Sequence, residues 1–102
     1  MVVNLKANET VIKAGDTKYY IDEDKVEGKL IVTNQRIYFK TRNPDAGRFN
    51  LEILPEQIKE VIFYNTMKIF PNGLNLITKA GKQLRFAVKN RNAIGQLINT
   101  MY

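Results

Sequence analysis

Lys79, Lys82 and Arg85 are spaced so that a hairpin would carry the first two at its tip and the third on its outer face. A hairpin tip bearing ammonium and guanidinium groups is suited to phosphate headgroups. Lys68 joins this cluster if its own loop falls on the same side. A second basic group, Lys40, Arg42 and Arg48, surrounds the turn-forming stretch Asn43-Pro44-Asp45-Ala46-Gly47. Both groups have a plainer reading, because lysines on exposed hairpins and loops also confer solubility and discourage edge-to-edge aggregation.

Other chemistries have little to work with. The chain contains no Cys and no His, which removes disulfides, thiolate nucleophiles, most zinc sites and the commonest acid–base side chain. Asp22, Glu23, Asp24 and Glu27 do not match an EF-hand spacing, and Lys25 interrupts them. Glu52, Glu56 and Glu60 lie on or beside one short turn, with nothing to suggest a substrate-flanking pair. We therefore read no catalytic residue, no metal site and no cofactor, and expect a protein that is not an enzyme.

Charge gives the basic clusters their interest. Of the net +6, residues 1–64 contribute nothing, with ten Lys/Arg against ten Asp/Glu, while residues 65–102 carry six Lys/Arg and no acid. That asymmetry suggests an anionic partner, whether membrane surface, acidic protein or nucleic acid. Nucleic acid is disfavoured, because a single-strand reader needs exposed aromatics among its basic residues. Only Tyr38, between Arg36 and Lys40, offers that interleaving.

The elements that must position these residues are mostly strands. Glu9–Ala14, closed by Gly15-Asp16, and Lys18–Ile21, closed by the acidic run 22–24, are short candidates rich in β-formers. Lys29–Thr33 and Arg36–Lys40 flank Asn34-Gln35 as a tight hairpin, with Leu30, Val32, Ile37 and Phe39 inward and Arg36, Tyr38 and Lys40 towards water. Arg48–Ile53 alternates, with Phe49, Leu51 and Ile53 inward. Pro55 opens a single helical turn, and Val61–Thr66 resumes as strand. Pro71-Asn72-Gly73 reads as a corner before a last hairpin, Leu74–Thr78 with Gln83–Val88.

Only the C-terminus is helical in pattern. Ile94, Leu97, Ile98 and Met101 form an apolar stripe, and Asn90 or Asn92 can cap its start. Gly95 within the helix implies close backbone packing. The chain, 102 residues, suits one domain spanning 1–102. A mostly β inventory of about seven antiparallel strands must close or split to bury its apolar face, and one C-terminal α-helix can plug an open end. That arrangement is a PH-like barrel; the alternative is an open meander with the helix across one face.

The segment Gly28-Lys29-Leu30-Ile31-Val32-Thr33-Asn34-Gln35-Arg36-Ile37-Tyr38-Phe39-Lys40 resembles the "GKLYLTNKRLIFK" hairpin of the GRAM family. Ile58–Val61, Asn65-Thr66 and Ile69–Leu74 resemble the stretch that follows in that family. Lys79–Lys82 with Phe86–Val88 and Asn90-Arg91 is similar to its closing segment. Ala80 departs from the family's frequent Asp, and the helix has no Trp. The resemblance implies a PH-like barrel that binds lipids or proteins inside the cell and has no catalytic residues to transfer. It also implies that Lys40, Arg42 and Arg48, on loops at one barrel mouth, could hold a phosphorylated headgroup.

Two functions follow as expectations. The first is a binding module for anionic membrane lipid or an acidic protein partner. The second is a protein-interaction or self-assembly domain, a homo-oligomer for instance, whose charge serves solubility only. No apolar run approaches the ~20 residues of a membrane span, and the start of the chain lacks a signal-peptide pattern, so the expected location is cytoplasmic, with peripheral membrane attachment open.

Overall fold

A computed structural model describes residues 5–67 and 69–102. Residues 1–4, at the start read as lacking a signal-peptide pattern, and the placement of Lys68 lie outside the described residues. Seven strands, β1 (Val11–Ile21), β2 (Asp24–Thr33), β3 (Ile37–Thr41), β4 (Leu51–Ile53), β5 (Ile58–Thr66), β6 (Phe70–Thr78) and β7 (Gln83–Val88), precede one helix, α1 (Arg91–Asn99). They form one curled sheet in the order β4-β3-β2-β1-β7-β6-β5, with every neighbouring pair antiparallel. The hairpins are local, and one long-range pairing, β1 with β7, joins the two halves.

Alternation along these strands produces the core. Leu30 and Val32 on β2, Ile37 and Phe39 on β3, Leu74 and Leu76 on β6, and Leu84, Phe86 and Val88 on β7 are all buried, as their spacing predicts. Tyr19, Phe39 and Phe86 meet at its centre with ring centroids 5.1 to 5.9 Å apart. The helix lays Ile94 and Ile98 into this core and packs on β5, β6 and β1. Gly95 meets the ring of Phe63 so closely that a Cβ there would collide with it, which accounts for glycine inside a helix.

Local turn signals misplace several boundaries. Gly15-Asp16 is no turn: β1 runs through it, because β2 pairs with it without interruption there, Gly15 opposite Leu30 and Asp16 opposite Lys29. The acidic run does end β1, but it is shorter as a turn than the composition suggests. Only Asp22 and Glu23 turn the chain, with Asp22 at φ 53°, and Asp24 already opens β2. Pro71-Asn72-Gly73 lies inside β6, and the corner falls four residues earlier, where Met67 adopts φ 51°. Arg48 and Phe49 belong to a 3-10 segment, Pro44–Phe49, that precedes β4, so Phe49 is only half-buried.

Candidate functional site

An open groove of about 970 Å³ lies where the outer face of β1 and β2 meets the β5–β6 tip and the β7–α1 junction. Period-two alternation sends Asp16, Lys18 and Tyr20 of β1 out of the sheet while Thr17 and Tyr19 point in. Register then sets Lys18 opposite Glu27, Tyr20 opposite Lys25, and the small Ala87 beside Lys18. Among the described residues, five basic side chains line the groove (Lys18, Lys25, Arg42, Lys89 and Arg91) against two carboxylates, Asp16 and Glu27. Both carboxylates already have cations, Lys29 at 4.0 Å from Asp16 and Arg42 at 3.4 Å from Glu27.

The start of α1 opens on the same groove. Asn90 holds the N-cap position, as the sequence suggests, but by a left-handed backbone (φ 61°, ψ 37°), and its side chain makes no capping bond. Its carbonyl accepts from Ile94 N–H at 3.0 Å, while the N–H groups of the first turn, which have no partner within a helix, receive no side-chain cap. Arg91 is buried and anchors this end. Its Nη1 donates to the carbonyls of Tyr64 (3.1 Å) and Gly73 (3.0 Å), its guanidinium lies 4.9 Å over the Phe63 ring, and its Nε is buried without a partner.

One rim of the groove is apolar. The β5–β6 turn ends at the Thr66–Phe70 pair, is tightened by Ile69 N–H donating to Thr66 O at 3.2 Å, and is tied across its neck by the Thr66 hydroxyl and the Asn72 side chain. Met67, Ile69 and Phe70 stand 81%, 71% and 48% exposed there.

The basic residues singled out by sequence scatter over the molecule. Arg42 lies in the groove. Lys40 is half-buried on β3 opposite Lys29, and Arg48 is exposed, 4.4 Å over the Phe49 ring. Lys79 and Lys82 share a separate depression with Glu52 and Glu56, at the opposite end of β7 from Lys89. Arg85 stands on the outer face of β7, opposite Tyr20, and donates to Gln83 Oε1 at 2.8 Å. Sequence reading missed Lys18, Lys25 and the tip. The excess charge of residues 65–102 contains Lys89 and Arg91, and the run Ile69-Phe70-Pro71 was the signal for the tip.

Arg36, expected to face water, is buried. Its Nε and Nη2 donate to the two carboxylate oxygens of Glu9, each at 2.7 Å, and its Nη1 donates to Glu52 Oε2 at 2.6 Å. Thr33 adds a hydroxyl to Glu9 Oε2 at 2.7 Å. A buried guanidinium needs carboxylate partners, and the segment before β1 supplies Glu9. Burial works to raise the Glu9 carboxyl, but the Lys6 N–H, the hydrogen bonds from Arg36 and Thr33 and the charge of Arg36 outweigh it and hold it at about 2. Arg36 also covers the Tyr38 ring at 4.4 Å, so one face of the ring considered for base stacking is already occupied.

The assembled geometry defines the class of fold. No family model and no curated protein matches the chain. Solved structures do: the C-terminal domain of an unknown protein from Leishmania infantum has a TM-score of 0.78 at 20% identity, covering 93% of this chain and 86% of that one. The Vps36 N-terminal PH domain has a TM-score of 0.70 at 15% identity, covering 96% and 85%. The chain has a PH-like fold.

Proposed function

We propose that this chain is a non-catalytic binding module of the GRAM type that docks on an anionic membrane surface through the groove at the α1 N-terminus. One observation carries the reading: Lys18, Lys25 and Lys89 and an uncapped helix start open on one concave site whose two carboxylates are already paired. Helix N–H groups and their dipole favour negative charge, and lysine ammonium groups add attraction across a wider radius. The same chemistry would hold a phosphorylated lipid headgroup. The PH-like fold of the Vps36 domain is consistent with a binding role. Among the described residues no helix is long and apolar enough to cross a membrane, which is consistent with attachment from one side.

Magnitude shapes the proposal. Each basic residue near an anionic bilayer contributes about 1 kcal/mol, so three or four give millimolar affinity at best. Lys79, Lys82 and Arg85 are the competing site, and Lys40 and Arg48 lie outside the groove. A second reading, self-assembly by strand addition, is favoured by β5, a nine-residue edge strand of which one N–H, that of Val61, is occupied by the Tyr102 hydroxyl at 3.1 Å.

Co-sedimentation with zwitterionic and anionic vesicles tests the reading. The expected outcome is binding to anionic vesicles only, weakened about 30-fold or more by Lys18→Glu with Lys89→Glu. Lys79→Glu with Lys82→Glu should have a much smaller effect, since Glu52 and Glu56 already offset that tip. Absence of binding under every condition would sink the proposal and leave strand-edge assembly as the working function.

A further inference from the structure

We infer that the β5–β6 tip is a bilayer-insertion element, with Met67, Ile69 and Phe70 entering the acyl boundary while the adjoining groove holds anionic headgroups. The inference rests on the groove reading and supplies what charge alone lacks. Three large apolar side chains within residues 67–70 stand exposed at the end of a hairpin, where soluble domains normally place polar turn residues.

The tip is built to hold its shape without packing against anything. The Thr66–Asn72 bond closes its neck, and Arg91 clamps the Tyr64 and Gly73 carbonyls of its two strands. Entry into a bilayer therefore orders little that is not already ordered.

Charge decides what covers the tip. Thr66, Met67, Phe70 and Pro71 line the same groove as Lys18, Lys25 and Lys89, so whatever receives the apolar tip faces a positive rim. A second copy brings the same positive rim and is repelled. An anionic bilayer satisfies both surfaces at once, headgroups against the lysines and acyl chains against the tip.

The chain has no Trp, so Ile69→Trp introduces a single fluorescent reporter at the tip. Anionic vesicles should shift its emission to the blue and lipids brominated in the acyl chain should quench it. The variant Ile69→Ser with Phe70→Ser changes only exposed positions, and a circular dichroism spectrum and unfolding midpoint like the parent's will establish that it folds. It should bind vesicles about tenfold or more weakly, keeping the preference for anionic lipid. Charge-dependent vesicle binding with an unshifted, unquenched reporter, or with full affinity in the serine variant, would overturn insertion and leave the groove reading standing. No vesicle binding by any form would overturn both. A blue shift that needs no vesicles and follows protein concentration, with dimers in analytical centrifugation, would assign the tip to a second copy and equally overturn insertion.

Discussion

Arg36, immediately before β3, shows how alternation can assign a residue to the wrong face. Alternation directs it outward with Tyr38 and Lys40, yet Glu9 and Glu52 enclose it. The Glu9 carboxyl titrates at about 2 in the folded chain against 4.5 for a free glutamate, so the unfolded chain takes up the proton first as pH falls. Its stabilisation is thus complete above about 4.5 and is lost as pH drops from there through about 2. We expect the difference in unfolding free energy between the parent and Glu9→Gln, followed by urea denaturation at successive pH values, to be constant near neutrality and to shrink across that interval. A difference that does not change with pH would show that the pair is not ionised as described.

At the scale of the element, α1 depends on how closely it can approach β5. Alanine in place of Gly95 would favour the isolated helix by about 1 kcal/mol. In the folded chain its Cβ collides with Phe63, and overpacking of this kind costs about 1–3 kcal/mol. The collision should prevail: Gly95→Ala lowers the urea midpoint, and Phe63→Leu in the same chain recovers part of the loss by making room. A raised midpoint for Gly95→Ala alone would mean that α1 sits further from β5. The apolar stripe Ile94, Leu97 and Ile98 was legible, because a 3.6-residue period identifies its face without knowledge of the partner, whereas Met101 lies beyond the end of α1 and packs on the core from there. The conformation of Asn90 was not, because a left-handed N-cap is imposed by the path from β7 into the helix.

For the whole molecule, charge and stability separate. The groove lysines are solvent-facing and screened by salt over about 10 Å at 0.1 M, whereas the Arg36–Glu9 pair is enclosed. Raising salt from 0.05 to about 0.5 M should weaken attachment to anionic vesicles more than tenfold while the thermal midpoint stays nearly constant. Parallel losses of binding and of fold would instead mean that surface charge holds the sheet together. Binding that ignores salt would point to an apolar interface.

By itself the amino-acid sequence determined the strand-rich inventory, the inward faces of β2, β3, β6 and β7 and the helix stripe; a barrel and an open meander both fit that inventory, and the tertiary structure gave the curled, PH-like fold. The inventory, faces and stripe each depend on a period of 2 or 3.6 residues and on burial, which are properties of neighbouring residues along one chain. The sequence also placed all the excess charge after residue 64. Tertiary structure decided the rest. The single pairing of β1 with β7 brings Lys18 beside Ala87 and the start of α1, residues some seventy positions apart, and folds Lys25 and Arg42 into the same groove. The same assembly leaves Lys79 and Lys82 beside carboxylates and takes Arg36 out of water. A groove made from four separate segments has no period and no motif, because its members are neighbours only across strands, and that register is set when the sheet curls around its core.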